Sequence, residues 1–138
     1  MEELLDIYTC QGVHIGIKSR KEWIYGLGGN ITNLLSLSNN TKFVKLMDKF
    51  LKQGLYIGES AGSIILGCDA KYYYDIKQGS KAKYNITLNS YKGLGYTDIN
   101  IYPHFNKATN EMKEKISQYE KTNNVKIMRL NDGDIVYY

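Results

Sequence analysis

Proline occurs once in the 138 residues, and cysteine and arginine occur twice each. Cys10 and Cys68 lie 58 positions apart, with no C-x-x-C pair and no cluster with histidine at ligand spacing. That excludes a disulfide framework and a structural zinc site, and reduced thiols in a cytoplasm are expected. No apolar run approaches the roughly 18 residues a membrane span needs, and the chain opens with Glu2 and Glu3 rather than a basic and then apolar signal segment. A cytoplasmic chain with no membrane partner follows. The shortage of arginine carries its own message. Of 18 cationic residues, 16 are lysines, dispersed among 14 acids for a net charge of +4. Nucleic-acid binders gather positive charge into one stripe and favour the forked arginine side chain, so no nucleic-acid partner is expected. The lone proline, Pro103, directly precedes His104, one of only two histidines.

What is present suits a single α/β domain over residues 1–138. Hydrophobic residues make up 43% of the chain, enough at this length to fill a core without covalent staples. Residues 13–17 alternate like a short strand, and 2–8 read as a helical turn or another strand. Residues 23–27 are an apolar strand running into Gly28-Gly29-Asn30, after which Ile31, Leu34 and Leu35 recur at helical spacing. Thr41 is the expected N-cap of a second helix with Phe43, Val44, Met47, Phe50 and Leu51 on one face, stopped by Gly54. Leu55-Tyr56-Ile57 has the character of a buried parallel strand, followed at once by Gly58-Glu59-Ser60-Ala61-Gly62 and an apolar helix. Residues 69–97, with Tyr72-Tyr73-Tyr74, read as loops with one irregular hairpin packed on the core. A strand over 98–102 ends at Pro103-His104, and a helix over 107–121 carries Met112, Ile116 and Tyr119 on one face. Two strands, 125–130 and 135–138, are expected around the tight turn Asn131-Asp132-Gly133-Asp134. Alternating strands and helices predict layered α/β architecture with a mainly parallel sheet.

The sharpest chemical feature is Gly58-x-Ser60-x-Gly62 between strand and helix. Small residues flank a serine held at a tight, strained turn, because a side chain at either glycine would strike the neighbouring strand or helix. The Ala61 amide, at the helix start, then faces an oxygen that turns negative when a carbonyl is attacked. A serine needs a base, and the histidines are His14 and His104. His104 follows a strand and falls on the same sheet edge as Ser60 if the two strands are parallel; His14 reads as structural or surface. The acid that would orient the imidazole is open among Glu111, Glu114, Glu120, Asp132 and Asp134, with a turn acid preferred over glutamates on a solvated helix face. Gly28-Gly29-Asn30 offers a second oxyanion donor at Gly29. It does not make a dinucleotide fingerprint, since Ile31 stands where glycine is needed, and no phosphate-loop pattern occurs.

Three segments in this order resemble the peptidase E (aspartyl dipeptidase) and cyanophycinase family of serine peptidases. Residues 23–30 are similar to the family's strand and G-G-N turn, 56–62 to its G-x-S-A-G elbow, and 101–105 to its P-H-F segment. The resemblance, covering residues 23–138, implies a three-layer α/β/α fold of the class I glutamine amidotransferase-like type. It also implies Ser60 as nucleophile, His104 as base and, by position in a late turn after a strand, Asp132 as the acid, where peptidase E has glutamate. Gly29 and Ala61 would form the oxyanion hole. A small peptide substrate is implied, with no metal or organic cofactor. The chain also departs from the pattern. Ile31 replaces the threonine usual after G-G-N, and lysines stand where peptidase E has the arginine that reads an aspartate side chain. Members are generally longer, so a shortened form is expected, with an exposed sheet edge that a homodimer would cover. Two rivals to a peptidase remain: a catalytically silent homologue kept as a binding protein, and esterase or acyl-transfer chemistry on the same residues.

Overall fold

The computed structural model describes residues 4–8, 14–19, 23–77 and 90–137. The chain opens with an antiparallel pair, β1 (Leu4–Tyr8) and β2 (His14–Ser19). β3 (Trp23–Gly26) leads through the glycine turn into α1 (Ile31–Ser38), and α2 (Thr41–Leu51) returns the chain to β4 (Leu55–Gly58). α3 (Ala61–Ile64) and α4 (Lys71–Lys77) follow, then β5 (Asn100–Tyr102), a 3-10 turn (Phe105–Lys107), α5 (Asn110–Asn123) and β6 (Ile127–Arg129). β3 pairs in parallel with β4, and β5 with β6. The expected α/β architecture is present, with parallel pairing in four of the six strands among the described residues.

Local chemistry explains most element boundaries. Asn30 caps α1, its side-chain oxygen accepting from the amides of Thr32 (2.8 Å) and Asn33 (3.3 Å). α2 is capped by Asn40 rather than by Thr41: the asparagine carboxamide accepts from Lys42 and Phe43, so Thr41 becomes the first helical residue. At its far end the Gly54 amide reaches the Phe50 carbonyl at 2.8 Å. Thr109 caps α5 through Met112, which places the helix start three residues beyond the expected 107 and leaves 105–107 as a separate 3-10 turn. The predicted faces are the ones that pack. Met47 and Ile116 are buried, with Phe43, Val44, Met112 and Tyr119 around the core formed by Ile31, Leu35, Ile64, Ile65, Ile76 and Ile127.

Two further expectations are corrected. The tyrosine run does not lie in a loop but in α4, because Tyr72 and Ile76, four apart, bury one stripe while Tyr73 and Tyr74 turn to its flanks. Tyr73 packs against Tyr102, with ring centroids 5.7 Å apart, and the Tyr74 hydroxyl meets Thr32 Oγ1 at 2.7 Å. β propensity pointed the wrong way because burial at helical spacing outweighs it. Tyr72 also finishes the sheet. Its hydroxyl donates to the Ile101 carbonyl at 2.5 Å and accepts from the Ile101 amide at 3.0 Å, occupying the ladder positions a further strand would use. The second correction is at the end of the chain. The turn at 131–134 forms, closed by Asp134 on the Asn131 amide at 2.7 Å, but residues 134–137 have no regular structure. Ile135 and Tyr137 stay exposed, and the sequence's apolar alternation finds no partner strand among the described residues.

Candidate active site

Ser60 lies two residues past the end of β4, His104 two past β5, and Asp132 three past β6; Gly28 and Gly29 follow β3. All four parallel strands therefore deliver their following loops to one edge, the carboxyl edge, where α/β folds place their sites. Tight packing of the elbow explains its small residues. A Cβ at Gly58 would lie 2.7 Å from the Gly62 carbonyl oxygen, and one at Gly62 would run into the Gly26 carbonyl of β3. Ser60 takes φ 51° and ψ −117°, a conformation that L residues rarely adopt. The turn is held by the Glu59 amide on Gly26 (2.9 Å) and by Ser63, whose hydroxyl donates to the Ser60 carbonyl at 2.6 Å.

Ser60 Oγ stands 2.8 Å from His104 Nε2, and His104 Nδ1 stands 2.5 Å from Asp132 Oδ1. His104 reaches this position through a left-handed backbone (φ 57°, ψ 34°) directly after Pro103. Of the five acids considered from the sequence, Asp132 is the one that meets His104. Glu111 pairs with Lys115, Glu120 with Arg129, and Asp134 with the Asn131 amide, while no contact of Glu114 with the histidine occurs. His14 lies in β2, and its side chain falls outside the described residues. Among the described residues the amides of Gly29 and Ala61 donate to no protein acceptor, and Ala61 is buried at the first turn of α3. A Cβ at Gly28 would sit 2.9 Å from Ser60 Cβ, so the G-G-N turn lies directly against the serine.

Several neighbours were not anticipated. Lys107 Nζ lies 2.6 Å from Asp132 Oδ2, and Asn106 Oδ1 accepts the Asp132 amide at 3.0 Å. The Lys107 ammonium, and after it the hydrogen bond from His104, hold the Asp132 carboxyl down at about 2. Beside the elbow, the Tyr25 hydroxyl donates to Glu59, and that hydrogen bond raises the tyrosine's pKa. Burial pushes Tyr56, whose hydroxyl donates to the Gly62 carbonyl at 3.1 Å, up to about 12, so it remains a neutral donor bracing the elbow. Glu59 and Lys107 carried a signal in their closeness to Ser60 and His104, but their partners lie 34 and 25 positions away. Among the described residues no three His, Cys, Asp or Glu side chains gather into a metal-ligating group, and no helix is long and apolar enough to cross a membrane.

Comparison with known proteins places this arrangement in context. The model of peptidase family S51 matches residues 11–138. An uncharacterized peptidase of Listeria monocytogenes is 36% identical over 117 residues, covering 83% of this chain and 56% of the relative. One from Listeria innocua is 36% identical over 104 residues, covering 74% and 48%. The 1.5 Å crystal structure of a Listeria monocytogenes protein provisionally assigned as peptidase E superimposes with a TM-score of 0.60 at 28% identity, over 80% of this chain and 52% of that one. The chain thus spans about half the length of the relatives it matches.

Proposed function

The chain belongs to peptidase family S51, and from that membership we propose that it is a serine-type peptidase acting on short peptides through Ser60, His104 and Asp132. The observation that carries the reading is the unbroken hydrogen-bonded line from Ser60 Oγ to His104 Nε2 and from His104 Nδ1 to Asp132. An ionised carboxylate can only accept, so the neutral imidazole carries its proton on Nδ1 and leaves Nε2 free to accept from the serine hydroxyl. Ser60 Oγ attacks the peptide carbonyl as its proton passes to His104 Nε2. Asp132 stabilises the imidazolium and keeps the ring aligned. The carbonyl oxygen, now negative, takes hydrogen bonds from the amides of Gly29 and Ala61, the latter aided by the start of α3. His104 returns the proton to the leaving amine, and water releases the acyl group by the same steps in reverse. Hydrolysis of dipeptides is the finer form of the proposal.

The rival reading keeps the same arrangement in a binding protein without turnover. One experiment separates them. A fluorophosphonate probe, read by intact mass, should add once to the folded protein and not at all to Ser60→Ala. A folded wild-type protein that takes up no probe would favour the silent homologue, and label retained by Ser60→Ala would overturn the assignment of the nucleophile. Assaying esters beside peptides distinguishes peptidase from esterase chemistry.

A further inference from the structure

Asp132 is gripped from one short segment that also carries the base. The β5–β6 pairing extends past both strands, through Leu130 N to the Tyr102 carbonyl (3.0 Å) and Phe105 N to the Leu130 carbonyl (2.9 Å). The 3-10 turn then folds residues 105–107 back on the 131–134 turn, closed by Lys107 N on the His104 carbonyl at 2.9 Å. His104, Asn106 and Lys107 thereby meet one residue together: the first on Oδ1, the second on the backbone amide, the third on Oδ2.

We propose that Lys107 is a positioning residue for Asp132, fixing which carboxylate oxygen faces His104 and moderating the negative charge that the imidazole meets. The inference rests on the peptidase reading above. A half-exposed carboxylate held only at Oδ1 is free to turn about its Cβ–Cγ bond and exchange oxygens. With the ammonium on Oδ2 and the Asn106 carboxamide on the amide, that freedom is removed. An isolated surface ion pair would contribute little. Here the lysine acts on a carboxylate whose other oxygen is already committed, so its effect is on alignment and charge rather than on global stability. The charged and titratable groups facing Asp132 are His104 and Lys107 from the segment after β5, and Asp134 from its own turn, which is engaged with the Asn131 amide. The low-lying pKa of Asp132, attributed first to Lys107, agrees with this geometry.

The test measures the second-order rate of fluorophosphonate labelling at Ser60 across pH in the wild type, Lys107→Met and Lys107→Arg. Lys107 is 70% exposed, so neither substitution disturbs packing, and thermal melts verify equal folding. Lys107→Met should label about 3- to 10-fold more slowly at neutral pH, the scale of losing one exposed charge-assisted hydrogen bond. The acid limb of its profile should move up in pH, because the ammonium that holds the Asp132 carboxyl low is gone. Lys107→Arg should restore both. Superimposable wild-type and Lys107→Met profiles overturn the inference while leaving the peptidase reading intact. A slower rate with an unmoved acid limb and no rescue by arginine also overturns it. No labelling of the folded wild type refutes the peptidase reading and this inference with it.

Discussion

Ser60 should be a residue that the fold would be more stable without. Its backbone, at φ 51° and ψ −117°, lies where a Cβ is disfavoured, at a cost of about 1–3 kcal/mol. Ser60→Ala removes the hydroxyl and its bond to His104 but retains the Cβ; Ser60→Gly removes both. The difference between the two variants therefore isolates strain. Glycine gains whatever strain the alanine still carries and gives back about 0.4–1 kcal/mol through its freer unfolded state. Taking the middle of each range, Ser60→Gly should be about 1.3 kcal/mol more stable than Ser60→Ala, about 4–5 °C in melting temperature for a chain of this size. Urea denaturation followed by circular dichroism measures the difference, and both variants should be inert to the fluorophosphonate. A glycine variant equal to or less stable than the alanine variant would refute the claim that the turn is strained around the serine.

Two other outcomes are expected. Tyr72→Phe should lower stability by about 2–4 kcal/mol in the same denaturation assay, since it strips both the donor and the acceptor from the buried Ile101 backbone; a loss below about 0.5 kcal/mol would mean that β5 closes its edge another way. The pH dependence follows from Asp132. Its folded pKa of about 2 lies below the usual carboxylate value near 4, so the folded protein favours the ionised form. Its ion pair is complete above that usual value and is lost as pH falls through about 2. The labelling rate should accordingly show no step from Asp132 near the usual carboxylate value of about 4. A step there would show Asp132 titrating as an ordinary carboxylate.

Much of the site was legible because its requirements are local. Gly58 and Gly62 flank Ser60 since backbone lies within contact distance of both, and a five-residue stretch displays that constraint directly. Asn30 likewise follows Gly28-Gly29 as the cap of α1, a contact spanning two and three residues. Pro103 before His104 marked the end of β5 for the same reason. Less legible were features whose cause is distant. α4 was hidden because three successive tyrosines satisfy a strand pattern as well as a helix pattern, and the surroundings that bury Tyr72 and Ile76, with the Ile101 backbone on the Tyr72 hydroxyl, lie up to 29 residues on. The terminal strand was expected from alternation alone, yet alternation specifies a face and not the presence of a partner to cover it.

The division has one physical basis. Backbone sterics, caps and turn chemistry act over a few residues, so the sequence by itself determined the elbow at Ser60, the turn at Asp132 and the α/β order of elements. Which loops share an edge depends on strand pairing across long stretches of chain. Only tertiary structure decided that β3, β4, β5 and β6 deliver Gly28, Ser60, His104 and Asp132 to one place, and that Lys107 holds the far oxygen of Asp132.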